Sequence, residues 1–280
     1  MRTRTVLVTG ASSGLGLATA CALARAGHRV YAGARSFAGQ EGPCAAGFTR
    51  VALDVTDPAS IARALAQTGP VEALVCCAAR IVLGSCEETS PEELRAVLET
   101  NFLGMVAMVQ AVLPHMRAAG GGLIVPFSSL NGLLGIPFTP AYVASKHAIE
   151  GWAECLRQET HRFGIRVCVV RPGDHRSGSA AYRQRARAAQ QPASPYAEAF
   201  ARATAAIARD EAGGAHPEPL ARAVARAVSA HRPPCTLLVA RPDQRLAVWL
   251  HDLLSPALFS AIMRRYYGGK QTRRSGAAPR

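Results

Sequence analysis

A chain of 280 residues that is 49% hydrophobic and 18% charged is expected to fold as one sizeable soluble domain rather than to stay disordered. Its longest apolar run, 102–113, is broken by Gly104 and Gln110 and falls short of the roughly 18 to 20 residues a membrane-spanning helix needs. The net charge of +13 sits mostly at the edges, in Arg2 and Arg4, in the arginines of 175–187 and in the acid-free stretch 253–280, so a nucleic-acid partner is not expected.

The first ten residues pass from two arginines into a strand pattern with no room for a signal peptide, and a cytoplasmic location is expected. From there apolar runs of strand length alternate with helical-period segments. Strands are expected at 5–9, 29–34, 49–53, 73–77, 123–127, 165–170 and 236–239. Helices are expected at 16–26, 58–67, 91–118, 141–163, 196–209, 217–231 and 244–267. Alternation of this kind predicts an α/β fold, a doubly wound seven-stranded parallel sheet with helices on both faces. Ser90, Pro91, Glu92 and Glu93 make a good helix start, and Gly27 and Gly164 good stops. The basic, Ser/Gly/Pro-rich stretch 173–195 is too long for an ordinary loop and reads as a mobile lid or disordered segment. One domain over 1–268 is expected, with a substrate lid at about 173–210, C-terminal helices at 217–267 and an unstructured basic tail at 269–280. The eight cysteines show no spacing suited to a zinc site, so free thiols and no metal are expected. Cys76 and Cys77, adjacent on a strand, point to opposite faces and are not expected to pair.

After the first strand comes Thr9-Gly10-Ala11-Ser12-Ser13-Gly14-Leu15-Gly16, running into a helix. Glycines there let the backbone turn tightly and approach a pyrophosphate, which rests on the free N–H groups of the helix start. The second strand ends Tyr31-Ala32-Gly33-Ala34-Arg35-Ser36, without the acid that would accept a ribose 2′-hydroxyl and with an arginine suited to a 2′-phosphate. This favours NADP over NAD, with a merely solvated Arg35 as the competing reading.

Only Lys146 and Lys270 are lysine among 32 Lys and Arg. Lys146 lies four residues after Tyr142 on one helical face, where an ammonium acts as a compact donor that a guanidinium cannot replace. A cation close to a phenol lowers its pKa toward neutrality. The strand before this helix ends in Ser128 and Ser129, placing hydroxyls where open α/β sheets bind ligands.

With these motifs in order from about Thr5 to Gly173, the chain resembles the short-chain dehydrogenase/reductases, and so a single-domain Rossmann fold. The resemblance implies that Ser129 hydrogen-bonds the substrate carbonyl, with Ser128 the weaker candidate. It implies that Tyr142 is the general acid of reduction and that Lys146 binds the nicotinamide ribose and depresses the tyrosine pKa. Asn101 matches the asparagine whose helix kink holds a proton-relay water, and Asp54, followed by Val55, the acid that bonds the adenine. Pro172, Gly173 and Ser177 match the turn that holds the nicotinamide amide. One departure stands out, since Cys76-Cys77-Ala78-Ala79 replaces the family's Asn-Asn-Ala-Gly, predicting weaker cofactor affinity or a reshaped site, with Cys77 and Ala78 still beside the cofactor. Asp174, His175 and Arg176 after the turn are also unusual, and His175 reads either as a substrate contact or as a solvated lid residue.

Apolar residues gather before the tyrosine (Leu130, Leu133, Leu134, Ile136, Pro137, Phe138) and in the last helix (Leu246, Trp249, Leu250, Leu253, Leu254, Leu258, Phe259, Ile262, Met263). They read as core or dimer contacts singly, and collectively as a site for a small but bulky hydrophobic ketone or alcohol of steroid, retinoid or polyketide type. The expected activity is NADPH-dependent ketone reduction. An NAD-linked alcohol dehydrogenase and a catalytically silent nucleotide sensor or scaffold are the alternatives. A homodimer or homotetramer through the helices of Asn101 and Tyr142 follows from the resemblance, and the arginine-rich last helix suits contact with an anionic membrane surface.

Overall fold

The computed structural model describes residues 3–268. In chain order the elements are β1 (Thr5–Thr9), α1 (Gly14–Arg25), β2 (Arg29–Ala34), β3 (Gly42–Pro43), β4 (Thr49–Ala52), α2 (Pro58–Thr68), β5 (Ala73–Cys76) and β6 (Val82–Leu83). There follow α3 (Pro91–Leu98), α4 (Gly104–Ala118), β7 (Gly122–Pro126), α5 (Pro140–Thr160), β8 (Ile165–Val167) and β9 (Val169–Pro172). The chain continues through β10 (Gln184–Arg185), α6 (Ala197–Ala212), α7 (Pro217–Ser229), β11 (Thr236–Val239), α8 (Pro242–Leu253) and α9 (Pro256–Gly268).

The main sheet runs β3-β4-β2-β1-β5-β7-β8, parallel except for the β3–β4 hairpin at its edge. Beyond it β9 bridges to Phe127 and pairs in parallel with β11, so the expected sixth strand continues past a break at Cys168. Both faces of the sheet are covered. Val6, Val8, Ala73 and Val75 pack with Leu23, Leu220 and Val224 of α1 and α7 on one side. Leu7 and Leu74 pack with Ile61, Met108 and Ile149 of α2, α4 and α5 on the other. The near-continuous apolar strands are thus those of a parallel sheet buried on both faces, and their C-terminal ends, where β1, β2, β5 and β7 stop, open onto one crevice.

Four expectations change in detail. The 244–267 helix is two, because Pro256 has no N–H to continue α8 and its ring clashes with the preceding turn. The 91–118 helix is continuous but carries a π-helical turn, Glu99–Leu103, around Asn101. Taken whole, that helix is long and apolar enough by length and composition to cross a bilayer, beyond what its uninterrupted runs suggested. In the fold Met105, Met108, Val109, Val112 and Met116 face the sheet. Segment 173–195 follows a defined path. His175 bridges to Ala215, β10 pairs with β6, and Ser179, Ala186 and Ala189 are buried. Its backbone partners, Ile81 and Leu83, are remote in sequence, so polarity alone made it look like a free loop. The tail assigned to 269–280 lies outside the described residues.

Candidate active site

A cavity of about 1250 Å3 opens at the C-terminal ends of the strands. Gly10, Ser12, Ser13, Leu15, Gly16, Arg35, Asp54, Val55, Cys77, Ala78, Ser129, Tyr142, Lys146, Pro172, Gly173 and Ser177 all line it. Of the expected site residues, Gly14 and Asn101 stand behind this wall.

The β1–α1 turn is shaped for close backbone approach. A Cβ on Gly10, whose φ is +66°, would lie 2.6 Å from Ala78 Cα, and one on Gly16 2.2 Å from Gly10 O. Gly14, with φ +55°, has Ser177 O where a Cβ would come within 2.9 Å, so it joins the turn to the segment after β9. Ser13 caps α1 without a side-chain hydrogen bond, and the first turn carries no acid. The helix start therefore keeps its N–H groups and positive dipole end available to a phosphate. Arg35 and Ser36 line the adjoining wall at the end of β2. The Asp54 carboxyl accepts from Thr56 N at 2.9 Å and Thr56 Oγ1 at 2.7 Å. Burial pushes its pKa up, but these two bonds and the Arg35 charge outweigh that and hold it below the ordinary value. The donor set and the room left by the glycines fit a dinucleotide.

The unusual Cys76-Cys77-Ala78-Ala79 stretch is tied down by other groups. Cys77 N–H and Ala78 N–H donate to Thr9 O and Thr9 Oγ1, at 3.2 and 3.3 Å. Asn101 clamps the next peptide, accepting from Arg80 N at 2.6 Å and donating to Arg80 O at 3.0 Å. These bonds fix the path of the loop after β5 without a side-chain amide at 76 or 77. Both thiols are held protonated by burial, Cys76 pushed up to about 12 and Cys77 well above the usual thiol range.

At the catalytic end Ser129 and Tyr142 both line the cavity, the Ser129 hydroxyl near enough to favour the ionised phenol, and Ser129 Oγ accepts from Asn131 N at 3.1 Å. Ser128 instead packs beneath α5, its hydroxyl 3.5 Å from Lys146 O. Lys146 is 3% exposed, with Nζ 5.4 Å from the centre of the Tyr142 ring and donating to Phe127 O at 2.7 Å. Burial lowers its pKa to about 8, against the opposing pull of Cys77, Cys76 and Glu150. Tyr142 departs from expectation. Burial raises it to about 12, Ser129 and Arg183 offsetting only part, while the Lys146 ammonium donates to the Phe127 carbonyl. A phenol held protonated is in the form a reduction requires of its acid. Asn101 Nδ2 also donates to Ser145 Oγ at 3.0 Å, and Ser145 Oγ donates to Tyr142 O at 2.7 Å. Asn101 therefore braces the turn of α5 that carries the tyrosine as well as the loop after β5.

The rest of the wall is the substrate end. Leu130, Leu134, Ile136, Ile262 and Met263 line it as the sequence suggested, whereas Leu133, Pro137 and Phe138 do not. Phe138 instead packs edge-to-face on Phe200 and Tyr196. Leu246, Trp249, Leu253 and Leu258 are exposed. Sequence reasoning missed Tyr182, Arg183, Asp210, Glu211, Gln244, Tyr266 and Tyr267, which reach the cavity from four separate segments with no local motif to announce them. Glu211 is a hub there, paired with Arg183 and accepting from Ser177 and Ser179.

The family model described as short chain dehydrogenase matches residues 4–188, the span that holds the glycine turn, Ser129, Tyr142 and Lys146. The chain belongs to the short-chain dehydrogenase family. Among curated members of that family, the 3-ketodihydrosphingosine reductase of Bacteroides thetaiotaomicron is 37% identical over 84% of this chain and 87% of its own. Estradiol 17-beta-dehydrogenase 1 of Rattus norvegicus is 38% identical over 62% of this chain and 54% of its own. The crystal structure of a short-chain dehydrogenase from Streptomyces avermitilis superposes with a TM-score of 0.77 at 31% identity, covering 96% of this chain and all of the other. The chain is thus an oxidoreductase of the family that uses a nicotinamide dinucleotide.

Proposed function

We propose that this short-chain dehydrogenase is an NADPH-dependent reductase of a bulky, apolar ketone, with a long-chain ketone first among candidates. The observation that carries the reading is the Ser129–Tyr142 hydroxyl pair on the wall of a large cavity that Leu130, Leu134, Ile136, Ile262 and Met263 also line. Arg35 at the end of β2, with no acid beside it on that strand, supports NADP. The name and near-complete coverage of the Bacteroides reductase support a long-chain substrate.

A dinucleotide held by its pyrophosphate at the glycine turn would supply the hydride from its nicotinamide. Ser129 orients the ketone oxygen by donating a hydrogen bond, and Tyr142 donates its phenolic proton to that oxygen as negative charge develops there. Lys146, on the same face of α5, would hold the ribose hydroxyls with its ammonium, Pro172, Gly173 and Ser177 would hold the nicotinamide end, and Asp54 and Val55 would hold the adenine. Asn101 is a positioning residue, acting through Ser145 and Arg80.

The exposed faces of α8 and α9, with Trp249 58%, Leu253 62% and Leu258 51% exposed, adjoin the cavity residues Ala247, Ile262 and Met263 and carry Arg245, Arg264 and Arg265. This combination suits an anionic membrane surface from which an apolar substrate enters. Trp249→Asp is expected to weaken sedimentation with phosphatidylglycerol vesicles. We place the protein in the cytoplasm, where its free thiols stay reduced, and as a homodimer or homotetramer through α4 and α5, beside the exposed Leu103. NADPH and NADH consumption across long-chain, steroid and polycyclic ketones tests the reading. NADH preference would favour the NAD-linked dehydrogenase, and saturable cofactor binding without turnover would favour the sensor.

A further inference from the structure

Asp174 follows directly on the Pro172-Gly173 turn and is half-buried in the cavity wall. Its acidic neighbours are each matched by a cation, Glu211 by Arg183, Asp210 by Arg209 and Asp243 by Arg241. Asp174 has only Gln244 Nε2, donating to Oδ2 at 2.5 Å, and no cation among the described residues stands at ion-pair distance. Beside it His175 is 4% exposed and lines the same cavity. Its Nδ1 lies 2.9 Å from Gly173 O, so Nδ1 carries the proton and Nε2 is an acceptor. That Nε2 is buried without a hydrogen-bond partner. A buried polar group left unpaired is costly, which points to a partner brought in with the ligand.

The position relative to the reacting atoms narrows the ligand. Asp174 and His175 line the same cavity as Ser129 and Tyr142, so a group held at Asp174 belongs to the ligand whose oxygen meets the proton donor. Burial, with Asp210 and Glu211 nearby, pushes the Asp174 carboxyl itself above the ordinary value despite Arg241, and an arriving cation would relieve this. A cation held there while the ketone oxygen sits at Tyr142 is part of the ketone's own head group.

We propose that Asp174 and His175 form the head-group subsite for an amino ketone. The Asp174 carboxylate holds a protonated amine of the ketone's head group, and His175 Nε2 accepts a hydrogen bond from a hydroxyl of the same head group. The apolar chain then runs past Leu130, Leu134, Ile136 and Ile262. This subsite rests on the ketoreductase reading and sharpens its substrate class from bulky apolar ketones to amphiphilic ones.

The test uses the full chain with NADPH and three ketones of one chain length, a 2-amino-3-ketone, its N-acetyl derivative and the ketone lacking nitrogen. Wild type is expected to favour the free amine in kcat/KM by about tenfold to a hundredfold, the worth of a charge-assisted hydrogen bond. Asp174→Asn is expected to bring the ratio of the amine to the nitrogen-free ketone close to one. Equal or better turnover of the nitrogen-free ketone by wild type would overturn the subsite while leaving the ketoreductase reading intact. No turnover of any of the three, with polycyclic ketones reduced, would overturn both the subsite and the long-chain assignment. The wild-type panel decides the matter even where Asp174→Asn fails to fold.

Discussion

Lys146 is an ammonium buried at a free-energy cost, and replacing it with Met separates that cost from its function. Its pKa in the folded protein is about 8 against an ordinary 10.5, so at about 1.4 kcal/mol per pH unit the charged form costs about 3 kcal/mol in the fold. Lys146→Met removes this cost but leaves Phe127 O without its donor at 2.7 Å, a loss of about 1–3 kcal/mol, so at pH 7 the two effects nearly cancel. The pH dependence distinguishes them. Below about pH 8 both folded and unfolded chains carry the proton and the penalty is constant. Between about 8 and 10.5 the unfolded chain holds a proton that the folded one has released, so wild-type stability rises with pH relative to the variant. Urea unfolding of both proteins between pH 7 and 10.5 is expected to show wild type gaining about 3 kcal/mol on Lys146→Met, while the variant loses turnover at every pH. A stability difference that stays flat, or moves the other way, would show that the ammonium is not destabilised by burial and refute the reasoning.

Three further outcomes follow from the geometry. Gly16→Ala drives a Cβ into Gly10 O at 2.2 Å and is expected to lower the melting temperature and abolish the thermal shift that NADPH gives wild type. Arg35→Ser is expected to raise KM for NADPH at least about tenfold and leave KM for NADH nearly unchanged, the two read in parallel steady-state assays. With the Cys76 and Cys77 thiols held protonated by burial, iodoacetamide at pH 7.5 is expected to label the exposed Cys86, Cys155 and Cys235 first, read by peptide mass spectrometry.

The parallel sheet was legible because each strand announces itself locally. Val6, Leu7 and Val8 form an unbroken apolar run since consecutive side chains enter cores on opposite faces. The glycine turn and the Tyr142–Lys146 spacing were likewise readable, being one turn and one helical step. What local pattern could not carry was direction and distance. Four residues along α5 put Lys146 on the tyrosine's face but did not say that its ammonium would donate to Phe127 O, nor that burial would leave Tyr142 raised rather than depressed. Asn101 was recognisable, yet its bonds to Arg80 and Ser145 join three elements remote in sequence. The same holds for Glu211, whose ion pair with Arg183 and bonds to Ser177 and Ser179 help fix a segment that composition alone presents as loop.

The most direct measurement is NADPH consumption by wild type and Tyr142→Phe on a long-chain ketone, with cofactor binding followed in parallel by fluorescence. Loss of one hydroxyl is expected to reduce kcat by about a hundredfold to ten-thousandfold while NADPH still binds. Turnover that survives the substitution would contradict the assignment of Tyr142 as the proton donor.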